Sequence, residues 1–236
     1  MKFEILQSKV SGLVLGLTLV SSVAIAGDFP EVTVDGLRKI AESANSVVYS
    51  KDDVDLGVYS RVYLVDATVA FKKNWQREHN RSTSNRVRAS DMDRIKAGLA
   101  ELFREVFTET LTAAGYEMAT ESAEDVVIVR PAIINLDVKA PDTRSTGRSQ
   151  TYVQSAGQMT LYVELYDSVT GDLLVKVIDT QADRERHNLQ WQTKGSNRIA
   201  AKKMLGYWAD RLSSALSDAN DTATGSDTAT GSDEAE

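Results

Sequence analysis

His79, in QREHNRS, and His187, in RERHNLQ, are the only imidazoles in the chain, and both sit beside arginines. Imidazole has the intrinsic pKa of a general base. A neighbouring positive charge, however, disfavours both its protonation and the approach of a cation. There is no cysteine, which excludes thiol catalysis, thiolate metal sites and disulfides together. Asp52, Asp53 and Asp55 form a cluster suited either to hard-oxygen coordination of Ca²⁺ or to a solvated turn. Asp91 and Asp93 suit the start of a helix, where the macrodipole favours negative charge, and Asp167 and Asp172 suit the flanks of a turn. G-x-S-x-G, G-x-x-x-x-G-K-[ST], G-x-G-x-x-G and H-E-x-x-H are all absent. The residues therefore select no reaction and no cofactor or metal.

Basic residues give the one pattern above this background. Between positions 72 and 90, Lys72, Lys73, Arg77, Arg81, Arg86 and Arg88 face a single acid, Glu78. Arg144 and Arg148 face Asp142 in 140–156, and Arg184, Arg186, Lys194 and Arg198 face Asp183 and Glu185 in 181–198. Trp75 and Trp191, two of the three tryptophans, lie in the same stretches, with Tyr152. Arg pairs bidentately with carboxylates and phosphates, and Trp or Tyr adds stacking.

Whether these stretches act together depends on the elements around them. Asp35 could cap a short helix with Leu37, Ile40, Ala41, Ala44 and Val47 on one face. Arg61 to Phe71 reads as a strand, rich in β-branched and aromatic residues. Ser90 to Ala114 is the clearest helix, with a capping box expected at Ser90 and Asp93 and a stop at Gly115. Val126 to Lys139 is a second strand whose Pro131 predicts an edge position or a bulge. Alternation over 159–166, turn residues at 167–172 and a return over 173–180 make a hairpin. A last helix is expected from about Ser196 to Leu216, its stripe including Trp208 as a core residue. Elements in this order predict an α/β (α+β) domain: a two-layer sandwich, a mixed sheet of about four strands with helices packed on one face. If the strands share one sheet, the three basic stretches all emerge at one end of it.

Lys2 and Lys9, the uncharged run Val10 to Ala26 and the ending Ala24-Ile25-Ala26 have the layout of a secretory signal peptide over 1–26. The remainder divides into one domain, 27–216, and an acidic tail, 217–236, in which Asp-Thr-Ala-Thr-Gly-Ser occurs twice in tandem. That tail lacks apolar residues larger than alanine and is expected to be disordered. The chain carries −7, but without leader and tail the body carries only −2. At 42% hydrophobic and 26% charged, the composition excludes collagen, a low-complexity polymer and a multi-span membrane protein.

From Tyr63 to the final helix the chain resembles a bacterial envelope family known as domain of unknown function 3313. The likeness rests on the helix leading into Gly115, on DVVIVRPAIINLDV at 125–138 and on Glu164 to Leu174. It implies an α/β fold and an envelope location, and brings no reaction. Many relatives are lipoproteins, whereas this chain has no cysteine to carry the lipid.

These observations point first to an exported, periplasmic, non-enzymatic module that engages an anionic envelope component or acidic protein surface through its basic loops. Nucleic acid is an improbable partner for an exported chain. A hydrolase of anionic glycans or lipids, using His79 or His187 as base, is the alternative from another class, and a structural envelope protein without a ligand is a third. The acidic tail is a further candidate occupant of the basic surface, tethered at high effective concentration.

Overall fold

The computed structural model describes residues 29–82, 86–138, 152–153, 157–182, 190–191 and 194–227. Its core is a mixed sheet of eight strands, with order β1-β2-β9-β8-β6-β3-β5 and β4 also paired to β6. The strands are β1 (Arg38–Glu42), β2 (Ser46–Ser50), β3 (Arg61–Leu64), β4 (Thr68–Phe71), β5 (Glu117–Met118), β6 (Val126–Val138), β8 (Gly157–Asp167) and β9 (Leu173–Ala182). A separate two-stranded ribbon joins β7 (Tyr152–Val153) to β10 (Gln190–Trp191). The helices are α1 (Trp75–Ser82), α2 (Ala89–Ala113) and α3 (Lys194–Asp227). The fold is thus α+β with a mixed sheet, larger than the four strands expected.

Period-2 alternation assigns the main face. Met159, Leu161, Val163 and Leu165 of β8 pack with Leu102, Phe103, Val106, Phe107 and Leu111 of α2, and with Leu205, Trp208 and Ala209 of α3. The Trp208 indole N–H donates to buried Asp179 on β9 at 2.8 Å. Trp208→Phe should cost about 1–3 kcal/mol, because it removes one of two side-chain donors to a buried carboxylate and leaves Gln181 as the other. The urea midpoint measures this loss.

The largest departure from the sequence reading is at the N-terminus. Residues 38–50 form the β1–β2 hairpin, not a helix. Leu37, Val47 and Tyr49 make a second small core with Phe29, Leu173 and Ile178. Val47 pairs with Ile178 and Tyr49 with Lys176, so pairing to β9 turns these side chains to the face opposite Met159 and its partners. Lys176 there ion-pairs with Asp35 and, at 3.7 Å, with Glu164, which accepts from Tyr162 at 2.7 Å and from Tyr166 at 2.8 Å. A helical spacing of apolar residues lost to strand pairing, which satisfies the backbone and buries Val47 and Tyr49 completely or nearly so.

Three smaller corrections have local causes. The expected strand 61–71 breaks at 65–67 into β3 and β4, both parallel to β6. Pro131 therefore stands in a central strand, not at an edge. It lies between Val129, opposite Leu64, and Ala132, opposite Thr68, so its missing N–H falls where the neighbouring strand is interrupted. The start of α2 is capped two residues earlier than expected: Asp91, not Asp93, accepts from the Arg88 backbone N–H at 3.0 Å. Its C-terminus is as read, with Gly115 at φ +94 and Tyr116 N–H donating to Leu111 O at 3.0 Å. The last helix runs to Asp227 instead of ending near Leu216.

Several carboxylates are held as anions. The Arg61 guanidinium beside Asp125, the Thr170 backbone N–H to Asp167 and the Arg88 backbone N–H to Asp91 each keep a carboxyl below its ordinary range. Folded values below the unfolded ones mean that the stabilisation is complete above about pH 4 and is lost as pH falls through the depressed folded values. Thermal midpoints should stay level from neutrality down to that point and drop steeply below it.

Candidate functional site

Strand register fixes where the basic stretches leave the sheet. Phe71, the last residue of β4, pairs with Leu136 near the end of β6. Val138, the last of β6, faces Gly157, the first of β8, and Ala182, the last of β9, faces Gln158. The chain therefore departs from β4, β6 and β9 at one end of one sheet, while the 168–172 turn lies at the other. The β7–β10 ribbon, with Tyr152 opposite Trp191 and Val153 opposite Gln190, ties the second connection to the third.

The first connection is built around α1. Trp75 is only 4% exposed, so it is an anchor and not the surface aromatic that the sequence suggested. Its indole stacks on Phe71 (centroids 4.4 Å apart) and on His79 (5.2 Å), and its N–H donates to buried Asp137 at 3.2 Å. Burial against that stack pushes the His79 imidazole below its usual pKa, with Asp137 opposing the shift. Asn80 closes the turn by accepting from Val87 N–H at 2.7 Å and donating to Val87 O at 3.0 Å. These contacts commit one side of α1 to the interior and leave the other to solvent.

That outer side carries the charge. Lys73, Arg77, Arg81, Arg86 and Arg88 are exposed, and Lys72 pairs loosely with Glu78 at 3.7 Å. Among the described residues no carboxylate stands within ion-pair distance of Lys73, Arg77, Arg81 or Arg86. Arg77 and Arg81 are four apart on one helix, a like-charge spacing that costs about 0.2–0.5 kcal/mol. Nothing in the fold requires that cost. Arg144, Arg148, Arg184 and Arg186 lie outside the described residues, as does His187. Trp191 is described only as backbone in β10, and Lys194 is the first residue of α3.

A cleft of about 380 Å³ opens at the same end. Ile95, Leu99 and Leu102 of α2, Ala201 and Met204 of α3, and Leu136 and Met159 of the sheet line it, with Arg94, Glu101, Asn197 and Arg198 at its rim. The early turns of both helices thus face the ends of β6 and β8. Arg198 holds Glu105 at 2.7 Å and Arg94 holds Asp91 at 3.1 Å, which orients both guanidinium groups.

Two glycines shape this cleft. Gly157 sits at φ +145, and a Cβ there would lie 2.1 Å from the Asp137 carbonyl oxygen. Gly157→Ala should cost more than about 2 kcal/mol through backbone strain and the forced separation of β6 from β8, read as a lowered urea midpoint. Gly98 differs: a Cβ there meets nothing within 4 Å. A glycine inside α2 weakens the helix by roughly 0.5–1 kcal/mol relative to alanine, with no steric reason for it in the fold. Gly98→Ala should therefore stabilise the protein by about that amount, as a raised thermal midpoint.

The third element at this pole is the start of α3, a 34-residue helix about 50 Å long; the acids at 233–236, expected as occupants of the basic surface, lie outside the described residues.

The match to the family described as Protein of unknown function (DUF3313) extends over residues 32–212, from the strap before β1 into α3. The chain belongs to this family. No curated protein matches it. Among solved structures, a PelC dodecamer from Paraburkholderia phytofirmans is 12% identical, with 72% of this chain and 97% of that chain covered at a TM-score of 0.37. A DUF4136 family protein from Bacteroides thetaiotaomicron is 15% identical, with 75% and 100% covered at 0.35. Scores this low carry no conclusion about activity.

For this DUF3313 domain, sequence reasoning found the basic residues of the first connection but missed Asp137, Asn80, Gly98 and Arg198. Asp137 looked like an ordinary polar position at a strand end. Gly98 did leave a signal, as a lone glycine inside the most regular helical pattern of the chain.

Proposed function

We propose that this domain is a non-enzymatic binding module of the cell envelope, exported after removal of residues 1–26, whose basic pole engages an anionic envelope component. One observation carries the reading: β4, β6 and β9 all release arginine-bearing connections at one end of one sheet. The exposed Lys73, Arg77, Arg81 and Arg86 concentrate positive potential there, and the N-termini of α2 and α3 add to it. Guanidinium groups with no carboxylate partner among the described residues are available for phosphate or carboxylate forks.

The test is sedimentation with phosphatidylglycerol vesicles and with phosphatidylcholine vesicles as the neutral control, alongside polyphosphate titration. The expected result is binding to phosphatidylglycerol and polyphosphate at low salt, lost at about 1 M salt, where the screening length falls to roughly 3 Å. Binding that is indifferent to salt, or equal on neutral vesicles, would contradict it. His187→Ala together with His79→Phe, which keeps an aromatic ring on Trp75, should leave the binding unchanged.

A further inference from the structure

We infer that the cleft between α2 and α3 takes the acyl chain of a single-chain anionic amphiphile, with its head group at Arg198 and Arg94; this rests on the envelope-binding reading above. Leu99, Leu102, Leu136, Met159 and Met204 make most of the cleft's lining apolar, with Asp137 and Gln158 as polar members from the sheet. Its volume of about 380 Å³ lies within the ordinary range of small-molecule sites, roughly 300–1,000 Å³. A void of that size lined by hydrocarbon gains most from a flexible apolar chain, which removes both its own surface and the wall from water.

The rim sets the head group. Arg198 is half exposed and uses one terminal amine on Glu105. Its remaining N–H groups suit a second oxyanion. Arg94 stands on the opposite helix, already turned by Asp91, so a carboxylate or phosphate between them would meet a guanidinium from each side. Glu101 and Asp137 also line the site and balance the two guanidinium groups, so the lining by itself is neutral. The surplus charge of α1, at the same pole, breaks that balance towards anions.

Gly98 lines the cleft on α2, and a Cβ there meets nothing within 4 Å, so a larger side chain at this position takes up open space beside the apolar lining. Ala200 and Ala201 on α3 keep the facing wall equally low.

The experiment titrates the full chain calorimetrically with dodecanoate, with dodecyl phosphate as the second head group and dodecanol as the uncharged chain, all below micelle formation. One chain per protein should bind, dodecanol about ten-fold or more weaker than either anion. Gly98→Phe, which fills the cleft, should weaken both anions by about ten-fold or more, whereas Gly98→Ala should stay within about two-fold of wild type. Ala201→Leu fills the same space from α3 and replaces Gly98→Phe should that variant not fold. Arg198→Glu should weaken the anions and spare dodecanol. A preference between dodecanoate and dodecyl phosphate identifies a carboxylate or a phosphate source. No saturable binding, or binding that Gly98→Phe and Ala201→Leu leave unchanged, overturns the inference. Polyphosphate binding separates the two levels: if it persists while dodecanoate fails, the basic pole stands and the cleft assignment falls.

Discussion

Trp75→Ala is expected to be the most damaging single substitution at the basic pole, costing about 3–5 kcal/mol of stability. The indole fills the space between Phe71, His79 and the end of β6, and its N–H is a donor to Asp137, a carboxylate only 8% exposed. Truncation leaves both a cavity and a buried acceptor with one donor fewer. The consequence extends beyond stability, because Trp75 is the first residue of α1 and ties that helix to the sheet. Arg77 and Arg81 should lose their fixed position, so affinity for phosphatidylglycerol vesicles should drop with the urea midpoint. Trp75→Phe separates the two causes. It keeps most of the stacking area and removes only the donor, so it should cost about 1–3 kcal/mol and largely preserve vesicle binding.

The second large effect is electrostatic. Reversing Lys73, Arg77 and Arg81 together to glutamate should weaken low-salt binding to phosphatidylglycerol vesicles on the order of 100-fold, as each exposed charge contributes about 1 kcal/mol at contact in water. Stability should change little, because Arg77→Glu gains from the N-terminal macrodipole of α1, Arg81→Glu loses at its C-terminal end, and positions 77 and 81 stay like-charged. Most of the loss should lie in the salt-dependent part, so wild type and variant should converge at high salt. A folded variant that binds as well as wild type at low salt would show that these side chains are not the binding surface, and one that unfolds would contradict their being free of structural work. Circular dichroism melts and vesicle sedimentation on the same preparation decide between the outcomes.

Some of this was legible in the sequence and some was not, for identifiable reasons. The Gly115 stop, the 167–172 turn and the alternation of β8 are local devices, written in residues that act on their own neighbours. Asp167, for example, accepts from Val169 and Thr170 N–H at 2.9 and 2.7 Å, a loop that a six-residue window contains entirely. The N-terminal hairpin was not legible. Leu37, Ile40, Ala41, Ala44 and Val47 fit a helical face, and only pairing with β9, more than a hundred residues away, selects strands. Pro131 shows the same limit. Its own effect, a missing donor, was readable, but the break in β3–β4 that receives it is a property of the neighbouring strand.

The candidate site divides along the same line. Which residues are basic, and that their connections leave the sheet together, followed from charge counting and the parity of strand directions. That Trp75 faces inward did not, because Asp137 and Phe71 approach it only in the folded chain. The cleft is a property of two helices splaying above β6 and β8, and no periodicity encodes a void.

Spin labels test the account most directly, since the absence of native cysteine makes any introduced one unique. Four single variants are required: Arg81→Cys, Arg144→Cys and Arg186→Cys, one in each connection, and Val169→Cys at the exposed hairpin turn on the opposite end. With phosphatidylglycerol vesicles added at low salt, the spectra of the first three labels should broaden together while that of residue 169 stays unchanged. Broadening at residue 169, or at only one of the three connections, would contradict a shared anion-binding pole.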